Sequence, residues 1–156
     1  MGAGKTTVGK VLSKRTSYDI YSLDEMITIR ENATIPSIFK HKGEAYFRHK
    51  EYEVVKEVVF KQNKKILDCG GGIVEKEDSM KLLKKSSTII WLNCSLENIT
   101  SRINGDNRPL FTPNKNVITN LYKRRCTLYE KWADIRVNAD QDPLKVASEI
   151  LFQLQI

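Results

Sequence analysis

The chain has 156 residues, of which 40% are hydrophobic and 29% charged. That is the composition of one globular domain large enough to bury a core, and no apolar run approaches the roughly 20 residues of a membrane span. The net charge of +7 points to an anionic partner. Its basic clusters (Lys64-Lys65, Lys84-Lys85 and Lys123-Arg124-Arg125) are short and scattered, without the aromatic interleaving that stacks single-stranded bases. Nucleic acid is one candidate partner and a small phosphorylated or carboxylated ligand is another. Cys69, Cys94 and Cys126 are an odd number without metal-type spacing, as in a cytoplasmic protein with reduced thiols, and no signal peptide is visible.

The chain opens on Gly2-Ala3-Gly4-Lys5-Thr6-Thr7, followed by the helical stripe Val8, Val11, Leu12. This is the G-K-T end of a phosphate-binding loop, G-x-x-x-x-G-K-[ST]. Its glycines let backbone N–H groups turn toward phosphate oxygens at a helix N-terminus. Lys5 then reaches the β- and γ-phosphates, and the Thr6 hydroxyl ligates Mg²⁺. The first glycine of the motif would fall two places before Met1. A loop of this kind follows a strand that is central in its sheet, and the sequence holds no residues for one, so it is expected to start downstream of the true start.

Periodicity predicts a helix over 4–15 and a strand over Tyr18–Leu23 that ends at Asp24. Helices follow over 25–31 and, from Ile35 to Phe39, a short piece with Pro36 in its first turn. Gly43-Glu44 punctuates the chain before a helix from Phe47 to Gln62. Lys65–Cys69 reads as a strand running into Gly70-Gly71-Gly72. Three glycines exceed what a turn needs, and they let the backbone approach a flat ring and offer it N–H groups. A helix over 76–85, the apolar strand Thr88–Leu92 and a helix over Leu96–Arg102 come next. Asn104–Asn116 is polar, with Gly105, Pro109 and Pro113, and reads as a mobile loop. A helix over 117–132, a strand Ile135–Val137 and a helix over Leu144–Leu154 complete the chain. Such alternation predicts an α/β three-layer sandwich with a parallel central sheet, whose ligands bind beyond the carboxyl ends of the strands.

GAGKTT, the acidic site after the second family strand, GEAYFRHKE, DCGGG, RPLF and RRCTLYEKWAD occur in that order over nearly the whole chain. In this the sequence resembles the shikimate kinases, of the nucleoside-monophosphate-kinase-like group of phosphate-loop proteins. The resemblance implies one kinase domain over 1–156, with a substrate-binding region at about 24–52 and a lid at about 103–116. It implies MgATP-dependent phosphorylation of the 3-hydroxyl of shikimate, in aromatic amino-acid biosynthesis, by a cytoplasmic monomer with no membrane or nucleic-acid partner.

Residue by residue, the resemblance assigns Gly2, Ala3, Gly4, Lys5, Thr6 and Thr7 to ATP. Asp24 matches the second aspartate of the family's D-x-D, which binds substrate hydroxyls and can take a proton; as a plain structural alternative it would cap a helix. Arg48 and Arg125 match two arginines that grip the substrate carboxylate, with Glu51 one turn from Arg48 and able to hold it. Gly70, Gly71 and Gly72 match the backbone that meets the substrate ring. Arg108, in Arg108-Pro109-Leu110-Phe111, matches the lid arginine that stabilises the transferring phosphoryl group, and Arg102 a position that stacks on adenine. Lys5, Asp24 and Arg108 are thus the expected catalytic residues.

Two departures stand out. Ser22 replaces the family's first aspartate, which helps hold Mg²⁺ through water, and Asp68 stands where a phosphate-loop protein has its second acidic metal ligand. The acidic role is expected to have moved from 22 to 68, with Thr6 and Asp68 as the metal-holding pair. The competing expectations are a related kinase of gluconate or a nucleotide, an inactive or truncated homologue that binds nucleotide without catalysis, and a nucleic-acid-binding protein.

Overall fold

Strands alternate with helices throughout the computed structural model, which describes residues 2–105 and 115–156. Helix α1 (Lys5–Thr16) leads to strand β1 (Asp19–Ser22), helix α2 (Leu23–Glu31) and helix α3 (Ile35–Val59). Strand β2 (Lys65–Asp68) is followed by a short 3-10 segment, Ile73–Glu75, and helix α4 (Glu77–Ser86). Strand β3 (Ile90–Asn93), helices α5 (Leu96–Gly105) and α6 (Lys115–Trp132), strand β4 (Ile135–Asn138) and helix α7 (Pro143–Leu154) complete the order. No described helix is long and apolar enough to cross a membrane.

The two helical pieces expected on either side of Gly43-Glu44 form one element, α3, kinked where Gly43 adopts φ 81° and ψ 168°. Its start is set by the Thr34 hydroxyl, which accepts from the Ser37 N–H at 3.3 Å, with Pro36 in the first turn. Past the kink, Phe47, Val54, Val55 and Val58 are buried with Leu23, Ile27 and Ile38. Each such side chain contributes about 1.5–3 kcal/mol by leaving water.

β1 runs parallel to β2, with Ser22 paired to Asp68, and β3 runs parallel to β4, with Asn93 paired to Asn138. Helices α1 and α7 pack together over one face and reach both strand pairs. Helices α3, α4 and α6 cover the other face. This is the expected three-layer α/β sandwich, but its sheet is in two halves. Among the described residues no strand bridges the two pairs. Between them runs a cavity of about 610 Å³, walled by Ile66 and Leu67 of β2, Ile90 and Leu92 of β3, Leu12 of α1 and Met80 of α4. The inner strands β2 and β3 thus face each other across a slot with mainly apolar walls.

Candidate active site

Within each pair the strands point their carboxyl ends the same way, and the functional side chains gather beyond those of β1 and β2. Gly4 sits at φ 79°, a conformation that costs only glycine little, and its carbonyl accepts the Val8 N–H at 3.0 Å. No side chain caps the start of α1, so the first-turn N–H groups are left to an anion. Lys5 sits in that turn, close enough to Asp24 to favour its ionised form.

The Thr6 hydroxyl donates to Asp68 Oδ2 at 2.5 Å. Asp68 is the register partner of Ser22, so the carboxylate stands directly across the strand pair from the serine. The Ser22 hydroxyl accepts the Glu25 N–H at 3.3 Å as the N-cap of α2. That cap belongs to Ser22, not Asp24, which leaves Asp24 inside the first turn with its carboxylate directed at β2. Burial raises the Asp24 pKa, Lys5 opposes that rise, and Asp68 adds to it.

Gly70-Gly71-Gly72 is where α2, α3, α6 and β2 meet. A Cβ on Gly70 would lie 2.8 Å from Asp24 Oδ1, and one on Gly72 only 2.0 Å from Arg48 Nη2. The Gly71 carbonyl accepts the Tyr129 hydroxyl at 2.6 Å. At Gly70 and Gly72 a side chain would thus displace the charged ends of Asp24 and Arg48 from where they lie, a reason for glycine the sequence reading did not supply.

Arg48 donates to Glu51 Oε2 at 2.8 Å and more loosely to Glu44 Oε1 at 3.3 Å. Glu51 is fully buried and its Oε1 has no partner among the described residues. Burial raises the Glu51 pKa against the pull of Arg48. For Arg48 itself, burial disfavours the charge, but Glu51 and Glu44 outweigh it and the guanidinium stays firmly protonated. Arg125 projects from α6 and donates Nε to Glu75 Oε1 at 2.7 Å.

Beside the phosphate loop, Arg102 of α5 donates to the Gly2 carbonyl at 3.0 Å and to Cys94 Sγ at 3.6 Å. It borders a cavity of about 270 Å³ with Gly4, Thr7, Gln141 and Pro143. Asp140 accepts the Ser95 N–H at 3.0 Å and the Cys94 thiol at 3.0 Å. Its pKa falls to about 2, chiefly through the Cys94 bond. Burial pushes the Cys94 thiol up to about 11 and the Cys69 thiol to about 12, so both are protonated at neutral pH.

The expected residues Lys5, Thr6, Asp24, Asp68, Arg48, Arg125 and Gly70–Gly72 thus gather at one end of β1 and β2, while Arg102 stands beside Gly2, Gly4 and Thr7. Arg108 and its motif lie outside the described residues, as does most of the expected lid. The sequence reading missed Glu75 and Asp140. Asp140 had a signal, since it follows a strand end as Asp24 does. Glu75 had none, because it lies in a 3-10 segment too short to show a period.

The shikimate kinase family model matches residues 1–155. A shikimate kinase from Aquifex aeolicus is 36% identical over 156 residues, covering 99% of this chain and 92% of that protein. Its crystal structure superposes with a TM-score of 0.84, at 37% identity over 99% of this chain and 91% of that one. The shikimate kinase from Acinetobacter baumannii, solved in complex with shikimate, gives a TM-score of 0.91 at 30% identity, over 99% of this chain and 88% of that one. A gluconokinase from Sinorhizobium meliloti, at 14% identity and a TM-score of 0.58, shares the fold and nothing more specific. Motif order, site geometry and whole-length likeness agree: the chain belongs to the shikimate kinase family.

Proposed function

We propose that this protein transfers the γ-phosphoryl group of ATP to the 3-hydroxyl of shikimate, giving 3-phosphoshikimate and ADP for aromatic amino-acid biosynthesis. The observation that carries the reading is the meeting of Asp24, Arg48 and the glycine triplet beside the phosphate loop. An acceptor for a hydroxyl proton and a guanidinium for a carboxylate thus stand next to the γ-phosphate cradle.

In this reading the two guanidinium groups of Arg48 and Arg125 hold the substrate carboxylate. Asp24 accepts the proton of the attacking hydroxyl as the new O–P bond forms and the bond from the γ-phosphorus to the bridging oxygen of ADP breaks. Lys5 and the loop N–H groups of Gly2–Thr7 bind the phosphates, Arg102 borders the adenine, and Arg108 meets the transferring group from the lid at about 103–116. The chain acts as one kinase domain over 1–156, with its substrate-binding region at about 24–52.

Thr6 and Asp68 together suit Mg²⁺, a hard cation held by one or two carboxylates and the substrate's phosphates. No three His, Cys, Asp or Glu side chains cluster as a closed metal cage among the described residues, and this open, oxygen-only donor set is what such an ion takes. When bound, Mg²⁺ neutralises charge on the phosphates. The protein is read as a cytoplasmic monomer.

A coupled ADP-release assay tests the proposal. Turnover with MgATP should depend on shikimate. Absence of shikimate-dependent ADP release from the folded protein would overturn it and leave the non-catalytic nucleotide binder.

A further inference from the structure

Arg124 and Arg125 are neighbours on α6, where consecutive side chains diverge by roughly 100°, yet both end on one carboxylate. Glu75 Oε2 accepts from Arg124 Nη2 at 2.8 Å, and Glu75 Oε1 accepts from Arg125 Nε at 2.7 Å. The two arginines differ in surroundings: the Arg124 side chain is 60% exposed and that of Arg125 only 16%. Glu75 is itself fixed by its backbone, since its N–H donates to the Gly72 carbonyl at 3.0 Å. One short segment therefore joins both anion-binding arginines. Gly72 lies against Arg48, and Glu75, three residues on, grips Arg125.

The bond geometry leaves a useful edge. Arg125 spends Nε on Glu75 and makes no other hydrogen bond among the described residues, so its terminal amino groups remain for a ligand. The charge balance matters as well. A glutamate paired with a single arginine would cancel the charge that attracts a carboxylate. One carboxylate held between two guanidinium groups leaves a positive charge over. Burial works to raise the Glu75 pKa, but the bonds from Arg125 and Arg124 lower it overall, so Glu75 is ionised wherever the site works.

Resting on the functional reading above, we propose that Glu75 is a positioning residue that aims Arg125 at the substrate carboxylate, and that Arg124 offsets the Glu75 charge so that Arg125 keeps its attraction for it. Glu75 thereby acts on the carboxylate and not on the phosphoryl step, and Arg124 acts on it without touching the substrate.

Steady-state kinetics on wild type, Glu75→Ala, Glu75→Gln, Arg124→Gln and the Glu75→Gln/Arg124→Gln pair test this. Glu75→Ala is expected to raise KM for shikimate about tenfold, with KM for ATP and kcat within about twofold of wild type. The increase should vanish with a ring substrate analogue that carries the hydroxyls but no carboxylate. Arg124→Gln should raise the shikimate KM about threefold in the wild-type background and much less in Glu75→Gln, where the exposed Arg124 loses the carboxylate that holds it beside Arg125. An unchanged shikimate KM in a folded Glu75→Ala, an equal loss with the analogue, or an Arg124→Gln effect of equal size in both backgrounds would each overturn the proposal. Thermal melts identify a variant that fails to fold, and Glu75→Gln, nearly isosteric, then carries the test. If wild type itself turns over no shikimate, the functional reading falls. If wild type is active and Glu75→Ala matches it, only the role of Glu75 and Arg124 falls.

Discussion

The two halves of the sheet support chemistry of opposite kinds. Around β1 and β2 the polar groups are sequestered and buttressed: Glu51 is fully buried, the Arg48 side chain is 12% exposed, and each of Arg48 and Arg125 is held by a glutamate. Toward β3 and β4 the exposed Thr7 and Arg102 stand with loop backbone and a cavity edge. Under the function proposed above, the difference follows from what each half would bind. Nucleotide phosphates are gripped by N–H groups that any helix start provides. A small carboxylated ring offers few handles, so its arginines must be held in place before it arrives.

Breaking the buttressed half should cost most. Arg48→Ala removes a proposed substrate ligand and leaves Glu51 buried without its partner. An unpaired buried charge costs about 3–5 kcal/mol, so the melting temperature should fall together with a loss of kcat/KM of about 10³-fold or more. A variant that melts like wild type would show that Glu51 is already neutral in the fold. On the phosphate-loop side of the same strands, Asp68→Ser should raise the Mg²⁺ concentration for half-maximal activity about tenfold. Adding Ser22→Asp to it should restore most of the loss, because 22 and 68 face each other in register. A Mg²⁺ dependence unmoved by Asp68→Ser would end the idea that the carboxylate changed strands.

The pH dependence of the β1–β2 half sharpens the comparison further, through smaller shifts in stability and in the pH profile. Burial holds the Asp24 pKa above its usual 3.8. An acid with a raised native pKa binds its proton more tightly folded than unfolded, so ionised Asp24 costs the fold stability at neutral pH, and that cost disappears as pH falls through its pKa. Asp24→Asn should therefore abolish turnover while raising the melting temperature at pH 7 by a few degrees. The acidic limb of kcat/KM, which reports the free enzyme's base, should lie above pH 3.8 and move higher in Lys5→Met, which loses the nearby cation. A limb unmoved by Lys5→Met would dissociate the two residues.

Much of this was legible in the sequence, because period and punctuation are local. The order of strands and helices, the break at Gly43 and the phosphate loop all read directly from spacing. Strand β3 starts two residues later than expected and α5 runs three residues further, since extended and helical ends carry weak local signals. The short segment at Ile73–Glu75 gave no period at all. What spacing could not show were the contacts across elements. Ser22 read as a lost metal ligand, yet it caps α2. The glycine triplet read as an opening for a ring, and spacing gave no hint that Asp24 lies against Gly70 and Arg48 against Gly72. Glu75 acquires its meaning only when α6 folds back over it.

The slot of about 610 Å³ between β2 and β3 has a consequence for solvent exchange. Among the described residues each of the two strands is paired along one edge only, so the backbone groups turned toward the slot are left to water. Amides of β2 and β3 on that side should therefore exchange with solvent ahead of those inside α1 and α7, the layer that ties the halves together.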